Sequence, residues 1–163
     1  MIGPHLRLIG RRGFLAALGG LAICPHAAAA EQDSELLALI NGLRSERGLR
    51  PLLAEPRLAA AARRHAQDLA RRDRLDHAGS DGSTPLTRAR DAGHGTALPG
   101  EVIAASPDGP PGIFALWMAS PPHRDILLAA DATEAGVGRA ANGASRYRAF
   151  WVVLLNPVVG PAP

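Results

Sequence analysis

Apolar positions recur at helical spacing through "SELLALINGLRSERG", where Leu36, Leu37, Ile40 and Leu43 share a side and Gly48 follows. The pattern predicts a first helix with Ser34 as its cap. A second run, "EPRLAAAARRHAQDLARR", is entered through Pro56 and repeats the rhythm in Leu58, Ala62, His65 and Leu69. Its arginines lie mostly off that stripe. His65 therefore falls on the inward face, where a hydrogen-bonded core histidine is the simplest reading. "DHAGSDGSTPLTRARDAG" reads as a loop and then a short helix. Asp81-Gly82 is turn chemistry, Thr84 can cap, Pro85 suits the first helical position and Gly93 closes the helix. His77 lies in the loop.

Further on the period changes. "LPGEVIAAS" is rich in β-formers after a Pro-Gly break and puts Glu101 at the start of an extended stretch. "PPGIFALWMAS" predicts a helix with Ile113, Leu116 and Trp117 on one face, after loop-like composition over 106–112. Pro121 and Pro122 stop that helix and suit the opening of another turn, with Ser120 as cap and His123 just inside. "EAGVGRAA" and "YRAFWVVLL" flank "NGAS", the signature of a hairpin. In the second strand Ala149, Trp151, Val153 and Leu155 point one way, and Phe150, Val152 and Leu154 point the other. A strand apolar on both faces must be covered on both. The expectation is a layered α+β domain.

The start of the chain has a different grammar. Arg7, Arg11 and Arg12 precede "GFLAALGGLAI", which Pro25 breaks before "HAAAA". This is the layout of an export signal over residues 1–30, cleaved near Ala30. Its apolar run is roughly half the ~20 residues of a membrane span. "RRGFLA" resembles the twin-arginine export motif, although Gly10 replaces the usual polar residue, so the ordinary secretory route stays open. Residues 31–157 then form one domain and 158–163 a tail.

Removing the signal also changes the charge. The net charge is +3, from 18 basic and 15 acidic residues. Three arginines leave with the signal and no acid does, so the remainder is formally neutral. Nucleic acid is therefore not an implied partner. The run "ARRHAQDLARRDR" reads as the solvated face of a helix. The one cysteine, Cys24, lies in the signal, so the mature domain is held by its core without disulfides. Ile23, just before it, argues against a lipoprotein processing site.

No G-x-S-x-G elbow, H-E-x-x-H helix or phosphate-binding glycine loop is present. Four histidines follow the signal: His65, His77, His94 and His123. His94 sits in "AGHGTA" and reads as exposed loop. Only folding could gather these residues.

The ordered blocks from Ser34 to Asn156 resemble a bacterial CAP (SCP) domain, the superfamily of cysteine-rich secretory, antigen 5 and pathogenesis-related proteins. "GEVIA" stands for the family's G-E-N-I-A, "WMASPPHRDILL" for W-x-x-S-P-G-H-R-x-N-I-L, and "TEAGVGRA" for T-E-I-G-V-G. The resemblance implies a three-layer α-β-α sandwich, a small antiparallel sheet with helices on both faces. It also implies a central cleft of two histidines and two glutamates able to bind a divalent metal such as zinc. Carried over residue by residue, the cleft would comprise His77, Glu101 and His123, which the resemblance implies as metal ligands. The second glutamate is missing, because Ser120 stands where eukaryotic members have it; Glu134 is a candidate substitute. Val102 and Pro122 also depart from the family's asparagine and glycine.

Two functions remain open on this reading. One is a non-enzymatic periplasmic or secreted binding module, monomeric and without a transmembrane segment, for a lipid, cell-envelope or protein ligand. The other is a zinc-dependent hydrolase with Glu101 or Glu134 as general base. Equally, His77, Glu101 and His123 without metal could form a structural hydrogen-bonded network. N-terminal sequencing of the exported protein should begin near Glu31; an acylated Cys24 would refute that cleavage site.

Overall fold

A computed structural model describes residues 25–95 and 100–157. Most of the expected export signal (1–24), residues 96–99 and the 158–163 tail lie outside the described residues. Five helices and four strands follow in the order α1 (Pro25–Glu46), β1 (Leu53–Ala54), α2 (Pro56–Arg72), α3 (Pro85–Asp91), β2 (Gly100–Ala105), α4 (Gly109–Ala119), α5 (Pro121–Leu127), β3 (Ala132–Ala141) and β4 (Ala149–Pro157). The strands form one sheet ordered β1-β3-β4-β2. Its long pairs are antiparallel, as expected, whereas the short β1, which periodicity does not reveal, joins β3 in parallel.

β4 organises the layers. Trp151, Val153 and Leu155 pack into a core with Leu36 and Ile40 of α1, Ile113 and Trp117 of α4 and Leu127 of α5. Phe150, Val152 and Leu154 pack into a second core with Leu58, Ala62, Ala66 and Leu69 of α2. The sheet therefore lies between two helical layers, an α-β-α sandwich.

Close approach on the α2 side depends on glycine. A Cβ at Gly136 would run into the backbone of Leu58 and Ala59, and one at Gly138 into that of Ala62 and Arg63. These β3 glycines let a helix rich in alanine lie directly on the strand. On the other side, buried Arg44 serves as a polar pin: its guanidinium donates to the carbonyls of Arg50, Leu127, Ala129 and Ala132 at 2.9–3.0 Å. That fastens the end of α1 to the α5–β3 turn, and it satisfies a buried charge with backbone acceptors.

Several local expectations hold. Thr84 caps α3 in a capping box with Thr87, Pro85 follows it, and Gly93 takes positive φ just past the end. Others do not. Ser34 is not a cap, because α1 begins nine residues earlier and the Ser34 hydroxyl donates to Ala30 O inside the helix. Leu116 is half exposed, so α4 buries Ile113 and Trp117 without it. α4 begins at Gly109, inside the loop-like 106–112 stretch and one residue before the expected "PPGIFALWMAS" helix, with its prolines in the first turn where they are tolerated.

Trp151→Ala should cost about 3–5 kcal/mol in urea unfolding, since the indole is fully buried in the α1–α4 core. Gly138→Ala should also destabilise, whereas Gly143→Ala, with open space around its Cβ, should be nearly silent. Equal effects of the two glycine changes would contradict the described α2–β3 contact.

Candidate functional site

β2 alternates its side chains between the two cores. Val102 and Ala104 face α1 and α4, so Glu101 and Ile103 face α2 and α3. Glu101 is buried there, and it is fully engaged. Its Oε2 accepts from Arg88 Nη2 at 2.6 Å, and its Oε1 accepts from His77 Nδ1 at 2.7 Å. Arg88, equally buried, also donates to Ser83 O at 3.0 Å and to His77 O at 3.1 Å. The guanidinium that neutralises Glu101 thus also holds the backbone of the histidine bound to it.

The loop carrying His77 has a second anchor. Asp68 on α2 accepts from Ser80 N at 2.9 Å and Ser80 Oγ at 2.5 Å, and pairs with Arg71 and Arg72. Burial alone would raise its pKa, but the Ser80 bonds and the two arginines outweigh it and bring it to about 2.

His65, on the inward stripe of α2, donates from Nε2 to Asp76 O at 2.9 Å. Burial lowers its pKa, against the pull of Glu101. It is a core histidine, as its position suggested, and it braces the residue before His77.

His77 itself keeps 57% of its side chain exposed. The hydrogen bond to Glu101 raises its pKa, against burial and the charge of Arg88. His123 is carried by α5, in the helical layer opposite α2. Pro121 drives Ser120 into extended backbone (φ −104, ψ 110), which ends α4 and opens α5. The Ser120 hydroxyl makes no cap bond, contrary to expectation, and lies 2.8 Å from His123 Nδ1. Burial, then the positive charge of His77, lowers the pKa of His123.

Glu134 sits apart from this group. It lies on β3 opposite Asn156 of β4, while Glu101 lies on β2 opposite Leu154, so β4 runs between the two glutamates. Glu134 Oε2 accepts from His94 Nε2 at 3.1 Å and from Asn156 Nδ2 at 3.2 Å. The His94 bond is the main cause of its lowered pKa, with burial opposing. His94 is thus not an exposed loop residue; its side chain is 10% exposed. The cause is the end of α3, where His94 N donates to Ala89 O and turns the chain back over the sheet.

Among the described residues, no group of three or more His, Cys, Asp or Glu side chains is arranged to hold a metal ion. Glu101 is buried and turned to Arg88 and His77, so it faces the protein more than an incoming ion. The donors that suit a metal are the Nε2 atoms of His77 and His123, which make no hydrogen bond to another described residue. Ser120, which stands where the family motif has its second glutamate, meets His123, and Arg88 joins Glu101 without having been expected there. Nothing in "TRARDAG" separates Arg88 from Arg90.

Arg88→Met should cost about 3–5 kcal/mol, because it strands a buried carboxylate. Unaltered chemical unfolding would refute the pairing. In Glu101→Gln, NMR titration should show the His77 pKa falling back toward 6.5. The folded-state pKa is raised, so the pair's contribution to stability is full below the unfolded value and lost as pH rises through the folded one. For Asp68 the sign reverses: its contribution is full above 3.8 and lost as pH falls through about 2.

The sequence profile of the family described as CAP, the cysteine-rich secretory protein family, matches residues 37–155. The uncharacterized protein YkwD of Bacillus subtilis (strain 168) is 29% identical over 111 residues, covering 68% of this chain and 43% of that protein. The chain thus spans less than half the length of that relative. Among solved structures, an extracellular protein containing a SCP domain from Bacillus anthracis superposes with a TM-score of 0.72 at 23% identity, over 83% of this chain and 44% of that one. An outer surface protein from Borrelia burgdorferi gives 0.69 at 23% identity, over 78% and 92%. At this identity the two structures show a shared fold.

Proposed function

Because the chain belongs to the cysteine-rich secretory protein (CAP) family, we propose that it acts outside the cytoplasm as a non-enzymatic binding module centred on His77 and His123. The engagement of Glu101 carries this reading. A general base must be reached by the water whose proton it takes. Glu101 is buried, and its two oxygens are turned to Arg88 and His77. Glu134, the other candidate base, is held by His94 and Asn156, and its lowered pKa makes it a weaker base still. The geometry thus supports recognition over hydrolysis.

The two imidazoles suit a divalent ion that favours nitrogen, such as zinc, held weakly by His77 and His123. Bound there, the ion would supply a positive centre for a ligand's oxygen or an anionic headgroup. Glu101 would hold the His77 ring from behind, the part a carboxylate commonly plays toward a metal-binding histidine. The ligand class is a lipid, cell-envelope or protein group outside the cytoplasm. The extracellular and outer-surface descriptions of the Bacillus anthracis and Borrelia proteins support that location. No helix among the described residues is long and apolar enough to cross a membrane.

Calorimetric titration of the purified protein with zinc should show one weak site, lost in His77→Ala and in His123→Ala, both still folded. Affinity should fall with acid as the imidazoles protonate. Zinc binding that survives the double variant would overturn this assignment.

A further inference from the structure

The two imidazoles are held in the same way by unlike partners. His77 Nδ1 lies 2.7 Å from Glu101 Oε1, and His123 Nδ1 lies 2.8 Å from Ser120 Oγ. In each ring Nδ1 is tied to the protein and Nε2 is left without a described protein partner. We infer that Ser120 is a positioning residue for His123, holding Nδ1 so that Nε2 is the working nitrogen, as Glu101 does for His77. The inference rests on the two-histidine reading above, and deepens it.

Local geometry explains why this hydroxyl is available. An N-cap serine ordinarily accepts from the backbone N–H of the second or third helical residue. Here the second residue is Pro122, which has no N–H, and Ser120 makes no cap bond. Extended backbone at Ser120, imposed by Pro121, places its side chain beside the third residue, His123. The same two prolines that open the helix thus redirect the cap hydroxyl from backbone to imidazole. Trp117 fixes the approach: its Nε1 donates to Ile103 O at 3.2 Å, and its carbonyl accepts from Ser120 N at 3.1 Å. The hydroxyl's mount is therefore tied to β2, the strand that carries Glu101.

The two partners are not equivalent chemically. A carboxylate can only accept, so His77 must carry its proton on Nδ1. A hydroxyl can accept or donate, so it orients the His123 ring without adding the negative charge that raises ligand basicity. When Nε2 of His123 serves as a ligand atom, Nδ1–H donates to Ser120 Oγ.

The test compares wild type with Ser120→Ala and Ser120→Thr, using zinc alone as probe and the ring-nitrogen NMR signals of His123. In metal-free protein, Ser120→Ala should change the balance of Nδ1–H and Nε2–H tautomers at His123, and Ser120→Thr should retain the wild-type signals. In the zinc titration, Ser120→Ala should weaken binding by about 10-fold or more, the usual cost of losing such a partner, and Ser120→Thr should restore it. A residue serving only to cap α5 would lower the melting temperature and leave the His123 ring signals in place. Unchanged ring signals in Ser120→Ala, or zinc seen at Nδ1 of His123, would overturn the inference. Failure of wild type to bind zinc would remove the metal reading alone, because the metal-free tautomer comparison still decides the role of Ser120.

Discussion

The buried pair of Arg88 and Glu101 is the constraint on which the site depends. Two charges withdrawn from water cost several kcal/mol each unless attraction and hydrogen bonds compensate. Here the compensation comes from three elements at once: α3 supplies the guanidinium, β2 the carboxylate, and the loop after α2 both the imidazole and the carbonyl that complete them. Loss of either Arg88 or Glu101 leaves the other as an uncompensated buried charge on the α2 side of the sheet. The pair therefore holds one layer of helices on the sheet, and in doing so fixes the ring of His77.

β2 is also where the two helical layers meet chemically. It is an edge strand, so its side chains reach into both cores while its outer backbone remains open to other partners. Trp117 uses that opening by donating to Ile103 O, which ties α4 to the strand from the layer opposite Arg88. α5 follows directly, and His123 with it. One histidine thus arrives from each side of the sheet, around a strand locked from both. This arrangement gives a rigid scaffold and two imidazoles whose Nε2 atoms make no hydrogen bond to another described residue.

Much of the scaffold was legible in the sequence because it rests on local rules. The two apolar faces of β4 required cover on both sides, the Thr84–Pro85 pair announced α3, and the stripe through Leu58, Ala62, His65 and Leu69 marked the buried side of α2. Each follows from periodicity or from backbone chemistry within a few residues. The family motifs likewise pointed to His77, Glu101 and His123.

What only the tertiary structure decided is which polar group meets which. Arg44 and Arg88 are indistinguishable along the chain from the solvated arginines of α2, yet both are buried because distant carbonyls or a carboxylate await them. Glu134 went to His94 and Asn156 because strand register, set across β4, placed those partners beside it. Ser34 became a helix interior residue because the chain before it continued the helix. Apolar burial is nondirectional, so its pattern can be read from spacing alone. A hydrogen bond needs a partner at about 3 Å and a suitable angle, and that is settled only when remote segments have been brought together.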